Sequence, residues 1–144
     1  MAAHIAPLNL QIALEQHGEH FDEPKSAVLF RRGDRAFGIF VVLRGKVSLD
    51  FGVDSPLARS YGPGALLGLP ATLTRRSYSM TATVTEDAEL AFVSSQALDS
   101  LLRERPALCQ PLLAILAERV IENNELQKAL LKGNKQASQR SVVA

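Results

Sequence analysis

The stretch RRGDRAFGIFVVLRGKVSLDFG, residues 31–52, decides the fold class. Three glycines divide it, at Gly33, Gly38 and Gly45. The last two enclose an unbroken apolar run, residues 39–43, which is typical of a strand buried on both faces. Apolar and polar residues then alternate over residues 46–51, which predicts a half-buried strand. We therefore expect two strands joined by a hairpin turn at Arg44-Gly45.

The same patterns predict further short strands on both sides of this stretch. They cover residues 27–30, 57–61, 79–84 and 88–93. Turn residues separate them, including the segment 52–56 and the pair Glu86-Asp87. Many short strands at close and regular spacing indicate a β-sandwich or roll. We place this roll at about residues 24–93.

Helical patterns flank the roll. A short helix is predicted over residues 8–17, before Gly18. Ser94 or Ser95 can cap a second helix over residues 95–104, which ends before Pro106 because the residue preceding proline avoids the helical conformation. A long helix follows over residues 106–132 and is expected to end at Gly133. The fold class is mainly β with flanking helices, with residues 133–144 as a flexible polar tail.

Composition excludes several classes of protein. The chain has 144 residues, with 16 basic and 15 acidic side chains, and a net charge of +1 argues against a DNA-binding protein. No apolar run approaches the roughly 20 residues that span a bilayer, so no membrane association is predicted. Cys109 is the only cysteine and allows no disulfide, which favours a reducing, cytoplasmic location. We expect Cys109 to be a small buried residue.

Residues 29–45, LFRRGDRAFGIFVVLRG, resemble the first signature of the cyclic-nucleotide-binding domain, the sensor module of the catabolite activator and Fnr families. The matching positions are Leu29, Gly33, Asp34, Ala36, residues 39–42 and Gly45, whereas Phe30 stands where a smaller aliphatic residue is usual. The order of helices and strands agrees over about residues 8–132. The resemblance implies a double-stranded β-helix, a jelly-roll-like roll, in a domain of residues 1–132. It also implies a sensor without a helix-turn-helix domain, since no such segment follows residue 132.

The resemblance places a phosphate-binding cassette in residues 62–84. In the family a Gly-Glu pair opens a short helix, its amides face the cyclic phosphate, and a later Arg-Ser pair precedes alanine. Arg76 and Ser77 match that pair, whereas Tyr78 replaces the alanine. Counting back places the acid at Leu66, or at Ala65 if one residue is inserted, so the acid is missing. The predicted ligand-binding residues are Gly64, Ala65, Leu66, Leu67, Gly68, Arg76 and Ser77, with Asn123 and Asn124 of the long helix.

The long helix also carries a seam with alternating spacings of four and three. Its members are Cys109, Leu113, Leu116, Val120, Asn123, Gln127 and Leu130. Such a seam is typical of a coiled coil, so we expect a homodimer through this helix. Asn123-Asn124 can equally set the register of that seam or face solvent, and Arg75-Arg76 can equally be a solvated loop pair.

Two functions from different classes remain open. The first is a small-molecule sensing module that binds a cyclic nucleotide weakly, or another small anion, in the roll. The alternative is a degenerate dimerisation or protein-interaction module without a ligand. No catalytic set and no cofactor motif stands out, so no enzyme is predicted. His17 and His20 share a helix face on paper, but Gly18 weakens that helix, so no metal site is predicted.

Overall fold

The computed structural model describes residues 5–51 and 58–137. Its elements in chain order are α1 (Leu8–Gln16), β1 (Glu19–Glu23), β2 (Val28–Phe30), β3 (Gly38–Asp50), β4 (Arg59–Tyr61), β5 (Leu66–Leu67), α2 (Leu69–Thr74), β6 (Thr81–Ser94), α3 (Ser95–Glu104), a 3-10 turn (Pro106–Leu108) and α4 (Cys109–Ala137). The predicted fold class is confirmed, since an antiparallel sheet lies between flanking helices and a long helix follows it.

Two long strands organise the roll. β3 and β6 pair antiparallel along their whole length, from Gly38 opposite Ser94 to Asp50 opposite Thr81. On the outer side of β6, β1 pairs with residues 88–92 and β2 with residues 82–83. On the outer side of β3, β5 pairs with residues 40–41 and β4 with residues 47–49. Two half-sheets therefore share the same pair of long strands. Within residues 5–51 and 58–137, β1 and β2 pair with no strand other than β6, so both are edge strands.

The predicted hairpin at Arg44-Gly45 is wrong. β3 continues through both residues, and its register against β6 shifts between Val42 and Val47. Gly45 has a φ of +86°, which bends the strand at a bulge instead of reversing it. The predicted turn at Glu86-Asp87 is wrong for the same reason, because β6 is one continuous strand opposite this bend.

The hydrophobic core has two parts, one on each face of the sheet. The interior of the roll is filled from β2, β3, β4, β5 and β6, mainly by Phe30, Phe40, Val42, Val47, Leu49, Tyr61, Leu67, Tyr78, Val84 and Leu90. The outer face packs against the helices, mainly through Leu10, Leu14, Ile39, Val41, Leu66, Leu69, Val93, Leu98, Leu101, Leu112 and Ile115. The alternation along β3 sends neighbouring residues to opposite parts, so β3 is buried on both faces as predicted.

Most helix ends lie where the sequence predicts them. The Ser94 hydroxyl accepts a hydrogen bond from the Ala97 N–H at 3.1 Å and caps α3, which ends before Arg105 as predicted. α4 runs through Gly133 to Ala137, so the predicted end of this helix is wrong. One glycine costs a helix only about 1 kcal/mol relative to alanine and does not by itself end it. Cys109 is exposed at the start of α4, so its predicted burial is also wrong.

Strand β1 was not predicted. Its sequence, EHFDE, has a single apolar residue, Phe21, and so lacks the alternation that marks a strand. His20 lies in this strand while His17 follows the end of α1, so the two do not share a helix face. Among the described residues, no group of three or more histidine, cysteine or acidic side chains is placed to hold a metal ion. No helix in the described part is long and apolar enough to cross a membrane.

Candidate functional site

The cassette connects β5 to β6 through the short helix α2. Gly68 has a φ of +84° and opens this helix, and Arg75, with a φ of +58°, ends it. Gly68-Leu69 thus forms the middle of the cassette, and Leu66, or Ala65 with one inserted residue, stays the predicted position of the missing acid. Leu66 lies in β5. Leu66 is buried on the helix side of the sheet and Ala65 in the interior of the roll, and neither side chain carries a carboxylate.

Arg75 and Arg76 are adjacent but differ in their contacts. Arg75 forms an ion pair with Asp99 of α3, with 2.7 Å between Nη2 and Oδ2. The Arg76 side chain is exposed and forms no ion pair within residues 5–51 and 58–137. Its backbone is fixed, because its N–H donates to the Ala71 carbonyl at 2.9 Å and its carbonyl accepts from Ala36 at 3.0 Å. The backbone of Arg76 is thus fixed by hydrogen bonds, while its guanidinium is exposed to solvent.

Ser77 follows Arg76 on the same exposed segment. Its backbone forms an isolated antiparallel bridge with Arg35, the residue two positions after Gly33. This bridge ties the cassette to the turn that the first signature predicts. Ser77 itself is exposed, as Arg76 is.

Tyr78 fills the roll beneath the cassette. Its hydroxyl donates to the Gly38 carbonyl at 2.6 Å, and the Thr72 hydroxyl donates to the same oxygen at 2.9 Å. Its ring stacks on Phe30 with 3.9 Å between centroids. A Cβ on Gly68 would lie 2.8 Å from Tyr78 Cε1, so this ring also requires the glycine. Burial raises the pKa of the Tyr78 hydroxyl above its usual value.

The loop before α2 is held by its own amides. The Gly64 N–H donates to the Val42 carbonyl at 2.8 Å, and the Ala65 N–H donates to Gly62 at 3.2 Å. The Gly64 donor therefore fastens the loop to β3, and the Ala65 donor closes a turn within the loop, so both amides already have backbone partners. Ala65 also lines a surface pocket of about 400 Å³ that residues 59–63 and Ile5 complete.

Sequence reasoning missed Arg119 of α4. Its guanidinium donates to the Leu66 carbonyl, and Cζ lies 6.0 Å from the centroid of the Tyr61 ring. A signal for it is present in the sequence, because the core-facing positions of the last helical segment recur at spacings of four and three. These positions are Leu108, Leu112 and Ile115, and the next one is Arg119. α4 thus brings a second cation to the cassette.

Asn123 and Asn124 lie in the backbone of α4 about one turn beyond Arg119. Their side chains are outside the described residues. Their predicted contact with a ligand therefore stays a prediction.

Residues 23–105 match the sequence profile of the cyclic nucleotide-binding domain. The chain therefore belongs to the cyclic nucleotide-binding domain family, as the resemblance implied. Among solved structures, the catabolite activator protein of Thermus thermophilus superposes with a TM-score of 0.72 and 28% identity, over 88% of this chain and 60% of that one. A chain solved in work on a cyclic-GMP-dependent signalling pathway in bacterial phytopathogenesis has a TM-score of 0.72 at 20% identity, over 84% of this chain and 96% of that one.

Curated relatives are considerably longer than this chain. Mouse patatin-like phospholipase domain-containing protein 7 is 31% identical over 96 residues, which are 65% of this chain and 7% of that protein. The cyclic AMP receptor protein of Thermus thermophilus is 29% identical over 121 residues, which are 82% of this chain and 56% of that protein. In both cases the chain spans less than two thirds of the relative's length.

Proposed function

We propose that the chain is a regulatory domain that binds a small anionic effector at Arg76 and Ser77 and binds cyclic AMP only weakly. The observation that carries this is the open guanidinium of Arg76, since the cassette holds its backbone and no described residue neutralises its charge. A guanidinium presents a planar fork of donors that matches phosphate and carboxylate oxygens. Membership of the cyclic nucleotide-binding domain family supports the same location for the ligand.

The weak affinity for cyclic AMP follows from the missing acid. Neither Leu66 nor Ala65 can accept a hydrogen bond from the ribose 2′-hydroxyl. A hydrogen bond to a charged group contributes about 1.5–3 kcal/mol, and 1.4 kcal/mol is a factor of ten in affinity. Burying that hydroxyl unpaired adds a cost of similar size, so a micromolar sensor is left with a dissociation constant of about 0.1 mM or weaker. The Tyr78 ring also occupies the roll where the family usually has a small alanine.

The experiment is calorimetric titration of the chain with cyclic AMP, cyclic GMP and inorganic phosphate. We expect weak binding of at least one of them, loss of that binding in Arg76→Ala, and retention in Arg103→Ala, which removes an exposed arginine of α3. Leu66→Glu should strengthen cyclic AMP binding, provided that circular dichroism shows the variant folded. Submicromolar cyclic AMP binding by the unmodified chain, or equal binding by Arg76→Ala, would contradict the proposal.

A second candidate function is dimerisation without a ligand, and α4 favours it. Leu113, Val120 and Ile121 are 57–60% exposed on this helix, an apolar surface that a second helix would cover. A dimeric chain that binds none of the three ligands at millimolar concentration would select this function. For either function we propose a cytoplasmic location, because the exposed and unpaired Cys109 suits a reducing compartment.

A further inference from the structure

One end of the roll carries a cluster of aromatic rings that opens to solvent. Phe40 lies at its centre, with the ring centroids of four other phenylalanines 5.1–6.3 Å away. These are Phe21, Phe30, Phe37 and Phe92. The cluster thus contains five of the six phenylalanines of the chain. Phe37 is 50% exposed, although its ring also contacts Tyr78 beneath the cassette.

A pocket of about 490 Å³ opens on this cluster. Its apolar walls are Phe21, Leu29, Phe37, Phe40 and Phe92, and Glu19 and His20 of β1 form its rim. We call this the aromatic pocket. It has the size and lining that accept one large apolar side chain, with a charged group at the edge.

The strand β1 that borders the pocket is acidic. Glu19, Asp22 and Glu23 form no ion pair within the described residues. On the neighbouring strand β6, by contrast, Glu86 and Glu89 pair with Lys46 and Arg44 at 3.6 Å and 3.3 Å. The unpaired carboxylates Asp22 and Glu23 line a second pocket of about 530 Å³ at the other end of β1, where Asp87, Glu89 and Arg44, the partner of Glu89, also lie. One short strand therefore joins an apolar pocket to an acidic one.

The backbone of β1 is available as well. β1 pairs with β6 on one side, and no other described strand pairs with its opposite edge. An exposed strand edge presents N–H and C=O groups to which an extended peptide can add as a further strand. Residues in an extended peptide advance about 3.3 Å each, so a span of two to four residues along β1 is about 7–13 Å.

We infer that β1 and the aromatic pocket form a docking surface for an extended peptide segment of a partner protein. The segment carries one aromatic or leucine side chain for the pocket, and a lysine or arginine two to four residues away for the carboxylates. The charge of the surface selects this partner, because unpaired carboxylates repel the phosphates of nucleic acids and of anionic lipids. This inference is separate from the anion site, and it holds whether or not Arg76 binds an effector.

The test begins with selection of a random nonapeptide library displayed on phage against the whole chain. Enriched sequences should combine an aromatic or leucine residue with a basic residue two to four positions away. Synthetic versions should bind by fluorescence anisotropy, and their affinity should fall as salt is added, because exposed charges are screened. Failure to enrich any sequence, or enrichment of peptides without a basic residue, would overturn the inference.

Two variants and two matched controls locate the binding. Phe37→Ser and the pair Glu19→Lys with Asp22→Lys should each weaken peptide binding about tenfold or more, with the dimer mass unchanged. The controls are Ile12→Ser, which changes a comparably exposed apolar residue on α1, and Glu104→Lys on α3, and both should retain binding. Equal binding by Phe37→Ser, with its fold checked by circular dichroism, would contradict the inference. Loss of the dimer in Phe37→Ser would instead assign the pocket to a second copy of the chain.

Discussion

At the scale of single residues, Tyr78 changes what the roll can hold. The usual alanine leaves room beneath the cassette, whereas the tyrosine ring stacks on Phe30 and its hydroxyl joins Thr72 at the Gly38 carbonyl. Two donors on one buried carbonyl hold the start of β3 against α2. The same side chain that restricts the ligand space therefore stabilises the cassette.

Tyr78→Phe should change the free energy of unfolding and its dependence on pH, because it removes the Tyr78 hydroxyl. Near pH 8 the variant should lose about 1–3 kcal/mol, because Thr72 still serves the Gly38 carbonyl but the N–H groups of Phe37 and Gly38 lose the hydroxyl as acceptor. The raised pKa of Tyr78 means that the unfolded chain deprotonates first as the pH rises past about 10. The stability of the parent should then fall relative to the variant, by at most about 1.4 kcal/mol per pH unit. Urea unfolding of both proteins at pH 8–11 measures this, and a constant difference would contradict it.

At the scale of elements, α4 has two faces with different tasks. One face packs on the roll through Leu112 and Ile115 and ends in the contact of Arg119 with β5. The other face, with Leu113 and Val120, is exposed. Leu116 lies between them and packs partly against the core, so it belongs to both. The predicted coiled-coil seam therefore includes Leu116, which also packs against the core of the protomer.

Arg119→Ala should loosen the attachment of α4 to the cassette. The variant loses a charge-assisted hydrogen bond to the Leu66 carbonyl and the contact with the Tyr61 ring. We expect a loss of about 1–3 kcal/mol in the free energy of unfolding by urea. Glu118→Ala, which changes the exposed neighbour, is the control and should be nearly neutral. A neutral Arg119→Ala would show that the apolar contacts alone hold the helix.

Val120→Glu should convert a homodimer into a monomer. Val120 is 58% exposed in the single chain, so the charge leaves the fold of each protomer intact but is buried and unpaired in a helix-to-helix seam. Sedimentation equilibrium should give twice the chain mass for the parent and once for the variant. Glu118→Gln on the same helix serves as the control. A parent that sediments as a monomer at tens of micromolar would rule out the dimer.

At the scale of the whole molecule, the bend in β3 and β6 makes one sheet into a roll. Gly45 lies at this bend with a φ of +86°, and a Cβ there would approach the Asp87 carbonyl oxygen to 2.3 Å and the Ala88 Cα to 2.6 Å. Both atoms are backbone atoms of the opposite strand, so neither can move aside cheaply. The close approach of the two strands at Gly45 is thus a condition for the closure of the roll.

Gly45→Ala and Gly33→Ala make a matched test of this condition. Gly33 has a φ of +95°, but a Cβ there meets nothing within 4 Å. Gly33→Ala should therefore cost only the left-handed backbone conformation, about 1–2 kcal/mol. Gly45→Ala adds a clash with the backbone and should cost about 3 kcal/mol or more, or prevent folding. Urea or thermal unfolding compares them, and equal losses would refute the role of close packing at the bend.

The sequence by itself determined the roll and its flanking helices. It also determined that the candidate site has the basic Arg76-Ser77 pair but lacks the acid. Periodicity along residues 39–51 specifies buried strands, because this signal is local, whereas the spaced glycines mark only where the backbone changes direction. The cap at Ser94 and the stop before Pro106 are local as well. The Arg76-Ser77 pair and the lack of an acid before it are also visible in the chain, and the comparisons confirmed the family.

The tertiary structure alone decided what these residues meet. A glycine with positive φ can end a hairpin or bend a continuous strand, and only the pairing of β3 with β6 shows that Gly45 does the second. The ion pair of Arg75 with Asp99, the open side chain of Arg76 and the contact of Arg119 with Leu66 are decided in the same way. The two contacts join residues more than 20 positions apart in the sequence. The exposure of the Arg76 side chain likewise depends on which distant segments pack beside it. Local patterns carry no record of such contacts, because the packing of the whole roll brings the partners together.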